Sequence, residues 1–90
     1  MVCIELTPNL SNCIETLSKK EYERTLSLLL KEGGGNEALG ERLEVLRLFL
    51  ESTDFGHLRS QYEAYLTEGK HVTFLIYPEN EKVNYRLIVE

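Results

Sequence analysis

The stretch HVTFLIYPENEKVNYRLIVE, residues 71–90, decides the fold. Val72, Phe74 and Ile76 alternate with His71, Thr73, Leu75 and Tyr77. Val83, Tyr85, Leu87 and Val89 alternate in the same way with Asn84, Arg86, Ile88 and Glu90. A period of two is the period of a strand with one buried face. The residues from Pro78 to Lys82 have turn chemistry, so the stretch reads as a hairpin with a connection of about four to six residues. A hairpin alone is marginal in water and needs a third strand or a helix to pack on. Val2, Ile4 and Leu6, alternating with Cys3 and Glu5, supply that strand at the other end of the chain. The pattern leaves strand order open; if the first strand joins the last, the order is 2-3-1 and the final residues are central.

Between the strands the period changes to that of helices. Thr7 and Pro8 suit an N-cap and a first helical position, and Leu10, Cys13, Ile14 and Leu17 then fall on one face. Ser18-Lys19-Lys20-Glu21 matches a capping box, with Leu17 and Tyr22 as its hydrophobic staple. Tyr22, Leu26, Leu29 and Leu30 are also out of phase with the first face, so a break near Ser18 and a second helix from Lys19 are expected. That helix ends at Lys31-Glu32 against Gly33-Gly34-Gly35. Asn36 can cap the next, whose apolar set is Leu39, Leu43, Leu46, Phe49 and Leu50, widened by Ala38 and Val45. Gly40 within it suggests a close helix contact. Asp54 caps the last helix, with Phe55, Leu58, Tyr62, Tyr65 and Leu66 on one side and Gly69 as its stop. The expected fold is α+β: an N-terminal strand plus a C-terminal hairpin forming a three-stranded sheet, packed against about four helices in the order β-α-α-α-α-β-β.

Ninety residues, 42% of them hydrophobic, are one domain spanning 1–90. Fifteen acids against ten bases give a net charge of −5, which opposes binding to nucleic acid or to an anionic membrane. The N-terminus lacks the basic and apolar regions of a secretory leader, and no apolar run is long enough to span a bilayer. The cytoplasm is therefore the expected compartment, with Cys3 and Cys13 as free thiols. Cys13, on the apolar side of the first helix, is expected to be inert with a raised pKa, and Cys3, on the outer parity of its strand, to be the more reactive.

Catalytic and cofactor patterns are sparse. Gly35 to Gly40 has the spacing of a phosphate loop, but Glu41-Arg42 stand where lysine and a hydroxyl residue are needed, and no strand leads into it. Cys3, Cys13, His57 and His71 lack metal-ligand spacing, so neither metal nor cofactor is expected. Asp54 and His57 read as a cap and its helix rather than as an acid–base pair. A toxin-type ribonuclease or other small hydrolase would draw on His71, Tyr85 and Arg86 for proton transfer and phosphate binding. A winged-helix-like nucleic-acid binder would present His57, Arg59, Ser60 and Gln61. Glu63, Glu68, Glu79 and Glu81 lie on the same helix or on the hairpin tip and oppose phosphate.

The reading with specific residues behind it is protein interaction. The outer parity of the sheet carries Leu75, Tyr77 and Ile88 where a one-sided sheet should be polar, and Leu28 and Leu48 fall off the main faces of their helices. The expectation is a non-enzymatic interaction or accessory domain whose partner is another protein or a second copy of itself. The competing expectation is that the first helix folds over that face and covers it within one chain.

Overall fold

The computed structural model describes all of residues 1–90. Strand β1 (Val2–Leu6) leads into helices α1 (Ile14–Lys31), α2 (Glu37–Ser52) and α3 (Phe55–Thr67), followed by strands β2 (Val72–Glu79) and β3 (Lys82–Val89). The class is α+β, with one antiparallel three-stranded sheet in the order β1-β2-β3. β1 pairs with β2, so β2 and not the last strand is central. There are three helices, not four.

The first correction concerns residues 7–18. Thr7 to Asn12 form a polar turn instead of a helix. Asn12 donates its side-chain amide to the carbonyl and hydroxyl of Thr7, at 2.8 and 2.9 Å, and Asn9 Oδ1 accepts from the Ser11 amide. Such side chains offer the backbone a local alternative to helix. Leu10 is exposed in consequence. The expected break at Ser18 is absent, because α1 starts at Ile14 and its buried line runs through Ile14, Ser18 and Thr25. Two of those three side chains are small and polar. Thr25 returns its hydroxyl to the Glu21 carbonyl at 2.8 Å, whereas the buried Ser18 hydroxyl has no partner.

The other boundaries follow their caps. Asn36 Oδ1 accepts from the Leu39 amide, and Asp54 Oδ1 accepts from the His57 amide. Gly33 and Gly34 take φ near +78° and +79°, which closes α1 where a side chain would be strained. Gly40 marks no close contact: a Cβ there would meet open space. The hairpin is tighter than its composition suggested. Asn80 and Glu81 alone make the turn, both with positive φ, and Pro78 belongs to β2. β1 reaches only to the register of Ile76, so the missing N–H of Pro78 interrupts no ladder.

All three helices pack on one face of the sheet. Val2, Ile4 and Leu6 from β1 and Val72, Phe74 and Ile76 from β2 meet Ile14, Val45, Leu46, Phe49, Leu58, Tyr62 and Leu66. The expected helix faces are partly corrected: Leu39, Leu43 and Leu50 are only half-buried, and Tyr65 is exposed. Tyr62 ties α3 to the start of α1, because the Ile14 amide donates to its phenolic oxygen at 3.3 Å within the core. That amide is one of the donors a helix N-terminus leaves unpaired. Tyr62→Phe orphans it, and a loss of about 1 kcal/mol is expected, read as a melting temperature lower by roughly 4–8 °C.

Glu21 ties α1 to α2. It accepts from Arg24 on its own helix and from Arg42 on the next. These bonds, Arg24 first and then Arg42, hold its pKa below the ordinary carboxylate range against the opposing effect of burial. A depressed folded-state pKa contributes stability above the unfolded value and loses it as pH falls through the folded one. Glu21→Gln should therefore be less stable than the parent at neutral pH and indistinguishable from it in strong acid, in denaturant titrations across that range.

Candidate functional site

With the helices all on one side, the other face of the sheet is bare. The register sets its side chains in rows: Cys3 beside Leu75 beside Arg86, Glu5 beside Thr73 beside Ile88, and Tyr77 beside Asn84. Met1, Leu75, Tyr77 and Arg86 line a shallow hollow of about 300 Å³. Met1 is 73% and Ile88 39% exposed, while Leu75 and Tyr77 are half-buried by their cross-strand neighbours. The expectation that the first helix covers this face is overturned: α1 packs against α2 and β1 on the opposite side.

Leu75, Tyr77 and Ile88 thus share one surface. Leu28 and Leu48 do not join it. Leu28 lies exposed on α1 and Leu48 half-buried on α2, next to Ser52 and Val83, both on the helical side. The parity of Cys3 and of Arg86 places both on the bare face, as the alternation in β1 and β3 implied. Met1 was missed because one residue beyond the end of a strand carries no periodic signal.

The three residues proposed for hydrolysis are not brought together. Tyr85 turns inward, with its ring 6.0 Å from those of Phe49 and Phe74. Arg86 is the next residue and turns outward. His71 sits at the far end of the ladder, exchanging backbone hydrogen bonds with Glu90 at 2.8 and 2.9 Å. Its distance along the strand from the row of Arg86 is four residues, roughly 13 Å. None of the four surface hollows is lined by a histidine or a cysteine, and no three His, Cys, Asp or Glu side chains converge. The residues proposed for nucleic-acid contact are engaged within the chain. Arg59 bonds the Leu10 carbonyl and Glu63, Ser60 bonds the His57 carbonyl, and Gln61 lies 3.4 Å from the His57 ring.

The cysteines are free, and the expectation that burial raises the pKa of Cys13 is overturned. Cys13 is the N-cap residue of α1 and is half-buried, not enclosed on an apolar face. It makes no side-chain cap bond of ordinary geometry, yet its thiol is close enough to the Thr16 amide for its pKa to be lowered. Burial opposes that effect, while the Thr16 hydroxyl, the Glu15 amide and the Arg59 charge add to it. The missed signal is the helix start itself: with α1 begun at Ile14, Cys13 meets the positive end of the helix dipole. In a Cys3→Ser background, alkylation of Cys13 should rise at lower pH than that of a small-molecule thiol. Arg59→Ala should move the profile back toward higher pH. A profile matching the free thiol would contradict this.

Comparison with known proteins adds kinship without chemistry. One protein-family model matches residues 1–85. The chain is similar to a protein of Archaeoglobus fulgidus described as an uncharacterized protein, with 46% identity over 50 residues. The match takes in 53% of this chain and 59% of that relative, so the chain spans under two thirds of the relative's length. No solved structure matches.

Proposed function

We propose that this chain, which belongs to the family whose model spans its residues 1–85, is a non-enzymatic interaction domain that buries the bare face of its sheet against a second copy of itself. The observation that carries this reading is the uncovered outer face that holds Leu75, Tyr77 and Ile88, with Met1 beside the first two. A half-exposed sheet ordinarily offers water a polar face, and a contiguous apolar one marks a contact surface. The total surface supports the same reading. The chain exposes 5801 Å², against roughly 5,400 Å² expected of a folded monomer of 10.4 kDa.

The size of the face sets the strength of the contact. Three strands about 4.8 Å apart, over six residues of about 3.3 Å rise, make roughly 300 Å² per copy. Two such faces bury roughly 600 Å², half of the ~1,200 Å² at which stable complexes begin. The face by itself therefore supports weak, concentration-dependent association, in keeping with an accessory or regulatory role. Sedimentation equilibrium from micromolar to millimolar protein should show the average mass rising with concentration. Leu75→Lys, which places a charge at the centre of the face, should flatten that rise by at least tenfold in apparent affinity. A wild-type chain that stays monomeric throughout, or a Leu75→Lys chain that associates as well as the parent, would overturn the reading.

A further inference from the structure

We propose that the free edge of β3 is a second contact surface, at which two copies pair antiparallel about a two-fold axis at Ile88. This goes beyond the reading of the face and uses different atoms. β3 is the last strand of the sheet, and no element pairs with its outer side. The hydrogen-bonding parity of that edge is fixed at its C-terminal end. Glu90 exchanges both of its backbone bonds with His71, so even-numbered residues of β3 address β2 and odd-numbered ones face away. Tyr85 bears this out, because its amide donates to the Asn84 side chain at 2.8 Å and not to β2. Val83, Leu87 and Val89 are left with outward amides and carbonyls on an eight-residue strand rich in β-branched and aromatic residues. Unprotected edges of that kind recruit another strand.

Burial points the same way. The inward side chains of β1 and β2 are buried, whereas Val83, Tyr85, Leu87 and Val89 are all only half-buried. α2 reaches β3 through Phe49 on Tyr85, yet the inward side chains of that strand stay partly open to solvent.

The occupant is a second copy because the edge is complementary to itself in one register. Residues opposite one another in an antiparallel pair share a face, so odd must meet odd. A two-fold at Arg86 would set that cation against its own copy. A two-fold at Tyr85 or at Leu87 would require both Asn84 caps to break, since Tyr85 would then pair with its own copy or with the partner's Val89. A two-fold at Val89 would leave Leu87 unpaired and set Ile88 against the partner's Glu90. A two-fold at Ile88 avoids all of these. Leu87 then exchanges backbone bonds with the partner's Val89, and Val89 with the partner's Leu87. On the bare face Ile88 meets the partner's Ile88, and Arg86 meets the partner's Glu90 on each side of it. Arg86 and Glu90 are exposed, and neither belongs to an ion pair within the chain. The product is a continuous six-stranded sheet whose two bare faces join side by side.

The test is charge reversal and rescue in the full chain, with mass by sedimentation and fold by circular dichroism. Arg86→Glu and Glu90→Arg should each weaken the edge dimer at least tenfold, and the double variant should restore it. In the associated state the Leu87 and Val89 amides should exchange slowly with solvent, and in dilute protein rapidly. Leu75→Lys should remove assembly through the face and leave this edge dimer as the largest species. Failure of the double variant to recover, or rapid exchange at Leu87 and Val89 in associated protein, overturns the edge. Association lost in Leu75→Lys but kept in Glu90→Arg overturns the edge and leaves the face; the converse overturns the face and leaves the edge. A monomer at every concentration overturns both.

Discussion

The fold depends on the inner row of β2. Val72, Phe74 and Ile76 have no solvent exposure, and β2 is the one strand paired on both sides. Phe74 meets Tyr62 of α3 edge to face at 5.6 Å and lies 6.0 Å from Tyr85 of β3. Phe49 of α2 carries the chain of rings onward, edge to face with both Tyr85 and Phe55. Offset and edge-to-face aromatic pairs add to the stabilisation that their buried area already gives. These contacts join two helices and two strands, and α1 is then drawn in through Ile14 on Tyr62. Every helix is committed to this one face, and none remains for the other.

That one-sidedness is what the functional reading rests on. On the helices, charge is largely settled within the chain: Glu15 with Lys19, Arg47 with Glu51 and Arg59 with Glu63 pair at one turn's spacing, as their positions in the sequence suggest. On the sheet it is not. Lys82 and Arg86 make no internal ion pair, and both lie in β3, a strand whose outward backbone groups beyond Tyr85 are also unmet. Unsatisfied apolar, polar and charged groups coincide on β3 and on the face it borders. The helices hold eight acids beside seven bases, and most of the −5 net charge sits in the connections and at the chain end.

The parts of the fold legible in the sequence are those where one residue type has one physical meaning. Alternation placed all three strands and assigned Leu75, Tyr77 and Ile88 to the outer face; Asn36 and Asp54 were identifiable as caps. The start of α1 was not legible, for two reasons. Leu10 and Cys13 have helical spacing by coincidence, while Asn9 and Asn12 hold the backbone in a turn. Ser18 reads as a cap because serine is so often one, yet here it sits at the centre of a helix face that packs through small side chains. A search for apolar periodicity is blind to a face made of Ser18 and Thr25. Strand order was open because β1 carries the same alternation whichever neighbour it takes. The candidate hydrolytic residues failed for a simpler reason: Tyr85 and Arg86 are adjacent in a strand, so the pleat sends them to opposite faces.

The two incomplete surfaces differ in what they can specify. Burial of Leu75 and Tyr77 is driven by area and is indifferent to orientation, so the face alone tolerates many ways of docking. An edge is directional, because each outward amide needs an acceptor at a fixed spacing, and a slip of one residue would reverse every side chain. In the proposed assembly the face would therefore add strength and β3 would choose the geometry. Asn84 sharpens that choice. By occupying the Tyr85 amide it confines free pairing to the second half of β3, which is where Ile88 lies between a cation and an anion. A strand that was unprotected along its whole length would pair in several registers; one half-capped by its own side chain is left with few, and among these the Ile88-centred arrangement sets Arg86 against the partner's Glu90.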